Sequence, residues 1–116
     1  MDFQEAARAH REWNTKLRMY LNGSGTLNPK DIQKDNLCAL GQWIYSEGKK
    51  YSACTEYQEL RTIHAEFHKN AAEIVNLIDK NEKEKAKQEL DAGSKFRDLS
   101  LKILTLLSQI ENKTAA

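Results

Sequence analysis

A histidine pair set in a core-facing helix stripe is the feature that most constrains this chain. Seven residues recur at the three- and four-residue steps of a buried helix face. They are Tyr57, Leu60, His64, Phe67, Ala71, Ile74 and Ile78. His68 follows one turn after His64 on nearly the same face, and two imidazoles at this spacing supply half of a tetrahedral metal site. The stripe is therefore compatible with a plain helical bundle or with a metal-binding one.

Helical periodicity continues along the chain, and no stretch alternates as a strand does. The predicted helices, including a short second one, cover residues 2–21, 35–46, 55–80 and 83–112, and a single turn follows Asn28-Pro29. Thr55 and Gln58 fit a capping box, and Gly93-Ser94 is a candidate bend in the last helix. We expect one domain over residues 1–116, an all-α antiparallel four-helix bundle in which one short helix carries the Cys ligand.

Composition excludes several classes of function. Lys and Arg number 18 against 17 Asp and Glu, so a net charge of +1 gives no basic face for nucleic acid. Neither a secretory leader nor a run of about 20 apolar residues occurs, which predicts no contact with a membrane. Cys38 and Cys54 form no CxxC pair and are too few for a secreted disulfide framework. These features predict a cytoplasmic protein.

The three histidines, His10, His64 and His68, all lie on or beside core-facing stripes. A single such residue is most simply a buried neutral imidazole, but three would leave several polar nitrogens to satisfy, at about 1–3 kcal/mol each. One zinc ion would satisfy three of them, and a thiolate would complete four-coordination. Cys38 is the favoured thiolate because it shares a helix side with Gly41, where close approach of a neighbouring helix is expected. Cys54 is interpreted as an incidental, partly exposed thiol.

Other metal chemistries do not fit the spacing. A zinc protease needs His-Glu-x-x-His, but Ala65 follows His64 and the glutamate comes one position later. A ferritin-like di-iron site needs a glutamate three residues before a histidine, and no histidine of this chain has one. A mononuclear zinc site is the metal hypothesis that remains. The competing hypothesis is a metal-free helical interaction or structural bundle.

Three motifs in order give a family resemblance: His10-x-x-Trp13, Cys38-x-Leu40-Gly41-x-Trp43 and His64-x-x-x-His68. With these, the chain resembles the bacterial chemoreceptor zinc-binding (CZB) domain family over essentially its whole length. The resemblance implies that His10, Cys38, His64 and His68 bind Zn²⁺. It also implies a dimeric helical bundle that regulates cytoplasmic chemoreceptors or diguanylate cyclases, to which such domains are attached.

The expected activity is sensing rather than catalysis, because four protein ligands leave no open position for substrate. The resemblance favours a response to zinc, or to hypochlorous acid and related oxidants acting at Cys38. Leu101 and Leu104 fall outside the main stripe of the last helix, which makes that helix apolar over a wide arc. A homodimer would bury this arc.

Overall fold

The computed structural model describes residues 3–25, 27–34, 38–91 and 94–114. The side chains of Phe3, Ala6, Ala9, His10, Ala39 and Thr114 lie outside that description. The α-helices are α1 (Phe3–Leu21), α2 (Pro29–Ile32), α3 (Ala39–Ile44), α4 (Thr55–Asp79), α5 (Lys83–Leu90) and α6 (Lys95–Thr114), with a 3₁₀ helix at Glu47–Tyr51. The described residues contain no strand, and none of their helices is long and apolar enough to cross a membrane. The all-α prediction is confirmed.

Helix α4 forms the centre of the bundle, and all seven residues of its predicted stripe are buried. Phe67 stacks on Phe96 of α6 with ring centroids 5.0 Å apart. Farther along α6, Lys102 pairs at 3.0 Å with Glu59, which comes before Phe67 in α4. Because later residues of α6 meet earlier residues of α4, these two helices run antiparallel, as predicted.

Helix α1 runs parallel to α4, which departs from a fully antiparallel bundle. Trp13 lies against His68, and farther along both helices Tyr20 donates a hydrogen bond to Asp79. The segment 22–54, which carries α2 and α3, leads the chain back so that α4 starts at the same end as α1. Helix α2 lies beside the middle of α4, where Ile32 contacts His68. The end of α3 lies instead beside the first turn of α4, where the Ile44 carbonyl accepts from Tyr57.

The predicted fourth helix is two helices, α5 and α6, separated between Leu90 and Lys95. Their buried stripes explain the break. The step from Leu90 to Phe96 is six residues, which at about 100° per residue leaves the two stripes about 120° out of phase. Arg18 stabilises the end of α5 by donating to the Leu90 carbonyl at 2.9 Å and pairing with Asp91 at 3.6 Å. Gly93, the predicted bend, lies outside the described residues.

The helix ends follow local chemistry with one correction. Gly23 has a φ of +89° just after α1, a conformation that favours glycine, and Asn28 caps α2 by accepting from the Lys30 N–H at 2.9 Å. The capping box predicted at Thr55 and Gln58 is wrong. The N-cap of α4 is Cys54, without a side-chain hydrogen bond, and the Gln58 amide donates to the Ser52 carbonyl instead.

Candidate metal centre

The histidine pair lies on the inner face of α4. His64 is 0% exposed and His68 is 1% exposed. Their rings meet edge to face with centroids 4.6 Å apart, and the two Nε2 atoms are 3.1 Å apart. The spacing of one helical turn thus directs both Nε2 atoms to a single point, as the sequence predicted.

Cys38 completes a triangle of donor atoms with the histidine pair. Its Sγ lies 3.3 Å from Nε2 of His64 and 3.3 Å from Nε2 of His68. The helix predicted over residues 35–46 was expected to contain Cys38, but Cys38 is instead the N-cap of α3, and its sulfur accepts the Gly41 N–H at 3.3 Å. A backbone N–H directed at the sulfur favours the thiolate, which is the metal-binding form. Among the described residues, Cys38, His64 and His68 make the group of donors suited to a metal ion.

The second ring nitrogen of His68 is fixed by backbone. Its Nδ1 lies 2.9 Å from the carbonyl oxygen of Ile32, at the end of α2. A carbonyl oxygen can only accept, so Nδ1 carries the proton, and in the neutral ring Nε2 then presents a lone pair. That lone pair faces His64 and Cys38, the orientation that metal binding requires.

Aromatic rings pack against His68. Trp13 of α1 and Phe67 of α4 both pack edge-on against His68, with centroids 5.4 and 5.6 Å away. Trp43 is 8% exposed and belongs to the core, whereas Trp13 is half-buried and packs against it. Apolar walls exclude water and strengthen any charge interaction between a cation and the thiolate.

The triangle has the dimensions of a zinc site. Tetrahedral zinc, with Zn–N of about 2.0–2.1 Å and Zn–S of about 2.3 Å, holds two nitrogens about 3.3 Å apart and sulfur and nitrogen about 3.6 Å apart. The three measured distances lie within about 0.3 Å of those values. Two imidazoles and a thiolate are also donors that zinc prefers, so both the geometry and the chemistry fit.

The other two candidate residues have different outcomes. His10 lies in α1, but its side chain is outside the description, so its role as a ligand stays a prediction. Cys54 is half-buried with its Sγ 3.8 Å from Glu56, as expected of an incidental thiol. Sequence reasoning missed the Ile32 carbonyl, because every residue has a carbonyl and only the docking of α2 singles this one out.

Ionic contacts of the described residues tie the bundle together elsewhere. Lys113 near the end of α6 pairs with Glu56 and holds the pKa of that carboxyl below its usual range. At the far end of α4, the hydrogen bond to Asp79 raises the pKa of Tyr20. These contacts act on the packing of helices rather than on the donor triangle.

Comparison with known families decides between the two readings of the histidine pair. The family model of the chemoreceptor zinc-binding domain (CZB) matches residues 10–75. The chain belongs to the CZB family. The match contains all four expected zinc ligands. It leaves out α5 and α6, so it is shorter than the nearly complete coverage expected. No curated protein and no solved structure matches the chain. Zinc is accordingly the metal of this domain, and the donor triangle is a group that can hold it.

Proposed function

We propose that this CZB domain is a sensory switch in which one zinc ion is held by His10, Cys38, His64 and His68. The observation that carries the proposal is the convergence of Sγ and two Nε2 atoms to within 3.1–3.3 Å of one another in a buried site. Three donors leave room for a fourth in a tetrahedral shell, and the family motif assigns it to His10. A closed four-ligand shell has no position for substrate, so the proposed role is not enzymatic.

The proposed inputs are zinc itself and oxidants of the hypochlorous acid class. In the oxidant response, the Cys38 thiolate attacks hypochlorous acid and becomes a sulfenic acid, while chloride leaves with the two electrons that sulfur loses. A sulfenic acid is a poor zinc ligand, so oxidation weakens the site. Cys38 is half-buried rather than buried, which supports access of small oxidants to its sulfur. Zinc keeps this sulfur as a thiolate, which is the reactive form.

The proposed output is a change in helix packing. The four proposed ligands belong to α1, to α4 and to the N-cap of α3, so losing one of them frees α1 or α3 to shift against α4. Such a shift is of the kind that signalling proteins transmit along helices. We place the domain in the cytoplasm, where a zinc thiolate stays reduced, attached to or docked on a signalling protein of the chemoreceptor or diguanylate cyclase type.

We further propose that the domain forms a homodimer through α6. Leu101 is 61% exposed and Leu104 is half-buried, so the apolar arc predicted for this helix is partly uncovered in one chain. A second copy would cover it with the same surface, as a twofold interface requires.

Metal analysis with chelation tests the central proposal. Protein purified without added metal should contain about one zinc per chain, and removing it should lower the melting temperature by several degrees, since a ligand that binds only the folded state stabilises it. His10→Ala should retain the fold and bind zinc more weakly. Protein that lacks zinc, takes up none on addition and melts unchanged with chelator would instead be the metal-free bundle.

A further inference from the structure

Helix α2 is too short to be stable by itself. It has four residues, whereas isolated helices shorter than about 12–15 residues are marginal in water. Its position therefore depends on contacts with the bundle. The Ile32 side chain is 5% exposed and belongs to the core, and Leu27 packs against the same cluster.

The polar contact of α2 with the bundle goes to a residue of the metal centre. Ile32 is the last residue of α2, so its carbonyl is one of those that a helix leaves without an intrahelical donor. It accepts instead from Nδ1–H of the buried His68 at 2.9 Å. The bond satisfies two buried groups at once, and it fixes which nitrogen of His68 faces Cys38 and His64.

We propose that α2 is a positioning element of the metal centre: the Ile32 carbonyl selects the His68 tautomer that binds zinc, and zinc in turn holds α2 on α4. This inference rests on the proposed function. When Nε2 binds a cation, Nδ1–H becomes a stronger donor, so the bond to Ile32 tightens. Linkage is reciprocal, so whatever factor α2 docking adds to zinc affinity, zinc adds to α2 docking.

The consequence is a second response to zinc, located on the outside of the bundle. Lys30, Asp31, Gln33 and Lys34 form the exposed side of α2 and its end. When zinc leaves, the hydrogen bond that orients α2 becomes weaker, and this polar surface becomes less ordered. A partner protein that binds α2 would thus respond to the loss of zinc, separately from any signal that begins with oxidation of Cys38.

A pair of backbone esters tests the inference in the full chain. Cys38 allows native ligation of a synthetic 1–37 segment to residues 38–116. An ester in place of the Ile32–Gln33 amide weakens the Ile32 carbonyl as an acceptor and removes the Gln33 N–H, which donates to Pro29. The matched control, an ester between Lys30 and Asp31, removes an N–H that donates to Asn28 but leaves the Ile32 carbonyl unchanged.

We expect the ester after Ile32 to weaken zinc binding about 10–100-fold, the usual effect of losing a partner of a metal-binding histidine, and the control ester by much less. Zinc should slow hydrogen exchange at the Gln33 amide of the all-amide protein. In the zinc-free protein, nitrogen NMR should find the proton of His68 on Nδ1.

Equal weakening by the two esters would overturn this inference while leaving the zinc proposal intact. A proton found on Nε2 of His68 in the zinc-free protein would also overturn it, whether or not zinc binds. Failure to bind zinc at all would overturn the proposed function, and with it the claim that zinc holds α2.

Discussion

The substitution Cys38→Ser isolates the contribution of the sulfur to zinc binding. Serine is among the preferred N-cap residues, so α3 should keep its cap and the variant should fold. The serine hydroxyl stays protonated at neutral pH, so the site loses its one anionic donor. The remaining donors are the two Nε2 atoms, which are 3.1 Å apart, and His10 as the proposed fourth ligand.

The magnitude follows from sharing the binding free energy among the ligands. Structural zinc sites contribute about 10–16 kcal/mol in total, which is about 2.5–4 kcal/mol for each of four ligands. At about 1.4 kcal/mol per factor of ten, the affinity should fall about 60- to 700-fold. The loss of charge places Cys38→Ser at the upper end of this range.

Competition with a chromophoric chelator measures the change, and the chain provides a matched control. Cys54→Ser removes a thiol that lies beside Glu56 and takes no part in the donor triangle. Its zinc affinity should stay within about threefold of the parent protein, because it leaves every donor in place. Hypochlorous acid should release zinc equally from Cys54→Ser and from the parent protein. If Cys38→Ser bound zinc as tightly as Cys54→Ser, the sulfur would not be a ligand and the oxidant mechanism would fail.

Three further predictions concern the bundle. Phe67→Ala deletes a fully buried ring stacked on α6 and should cost about 3–5 kcal/mol. In chelated protein this corresponds to a melting temperature lower by about 12–20 °C, and a drop below about 4 °C would contradict the packing of α4 on α6. Glu56→Gln should reduce stability at neutral pH. Because Lys113 depresses the pKa of Glu56 in the folded state, the difference between parent and variant should be complete above about pH 4.3 and vanish as the pH falls through the lowered pKa. Denaturant unfolding of chelated parent and variant at several pH values measures this difference in stability. A difference that persists in acid would contradict the stabilising role of the Glu56–Lys113 pair. Leu101→Glu should raise the dimer dissociation constant at least tenfold in sedimentation equilibrium, whereas a parent protein that is monomeric at every concentration would exclude the dimer.

Periodicity was enough to predict the centre of the bundle. The stripe from Tyr57 to Ile78 combines consistent helical spacing with large apolar side chains, so the sequence predicted both an α-helix and the burial of this face. It thereby placed His64 and His68 in the core. The proximity of Cys38 required more, because α3 comes from a separate part of the chain. Its motif with Gly41 indicated the approach to a neighbouring helix.

Other features were harder to predict for physical reasons. The division between α5 and α6 corresponds to the six-residue step from Leu90 to Phe96 in the sequence. Each of the two segments has good helical periodicity, so the break is recognised only when the phases of their two apolar stripes are compared. The parallel direction of α1 depends on how the segment 22–54 returns along the bundle, and sequence spacing says little about that. The contact of Ile32 with His68 is made by backbone, which has no signature in the sequence.

The edge-on contact between Trp13 and His68 also makes tryptophan fluorescence a probe of the metal centre. The chain has two tryptophans, and Trp43 packs against Tyr51 instead. Replacing Trp43 with phenylalanine would leave a single tryptophan, whose ring centroid lies 5.4 Å from that of His68. Indole emission responds to the charge and electronic state of a ring in contact with it. Stopped-flow fluorescence of that variant would then follow the arrival and departure of zinc in real time, without a dye.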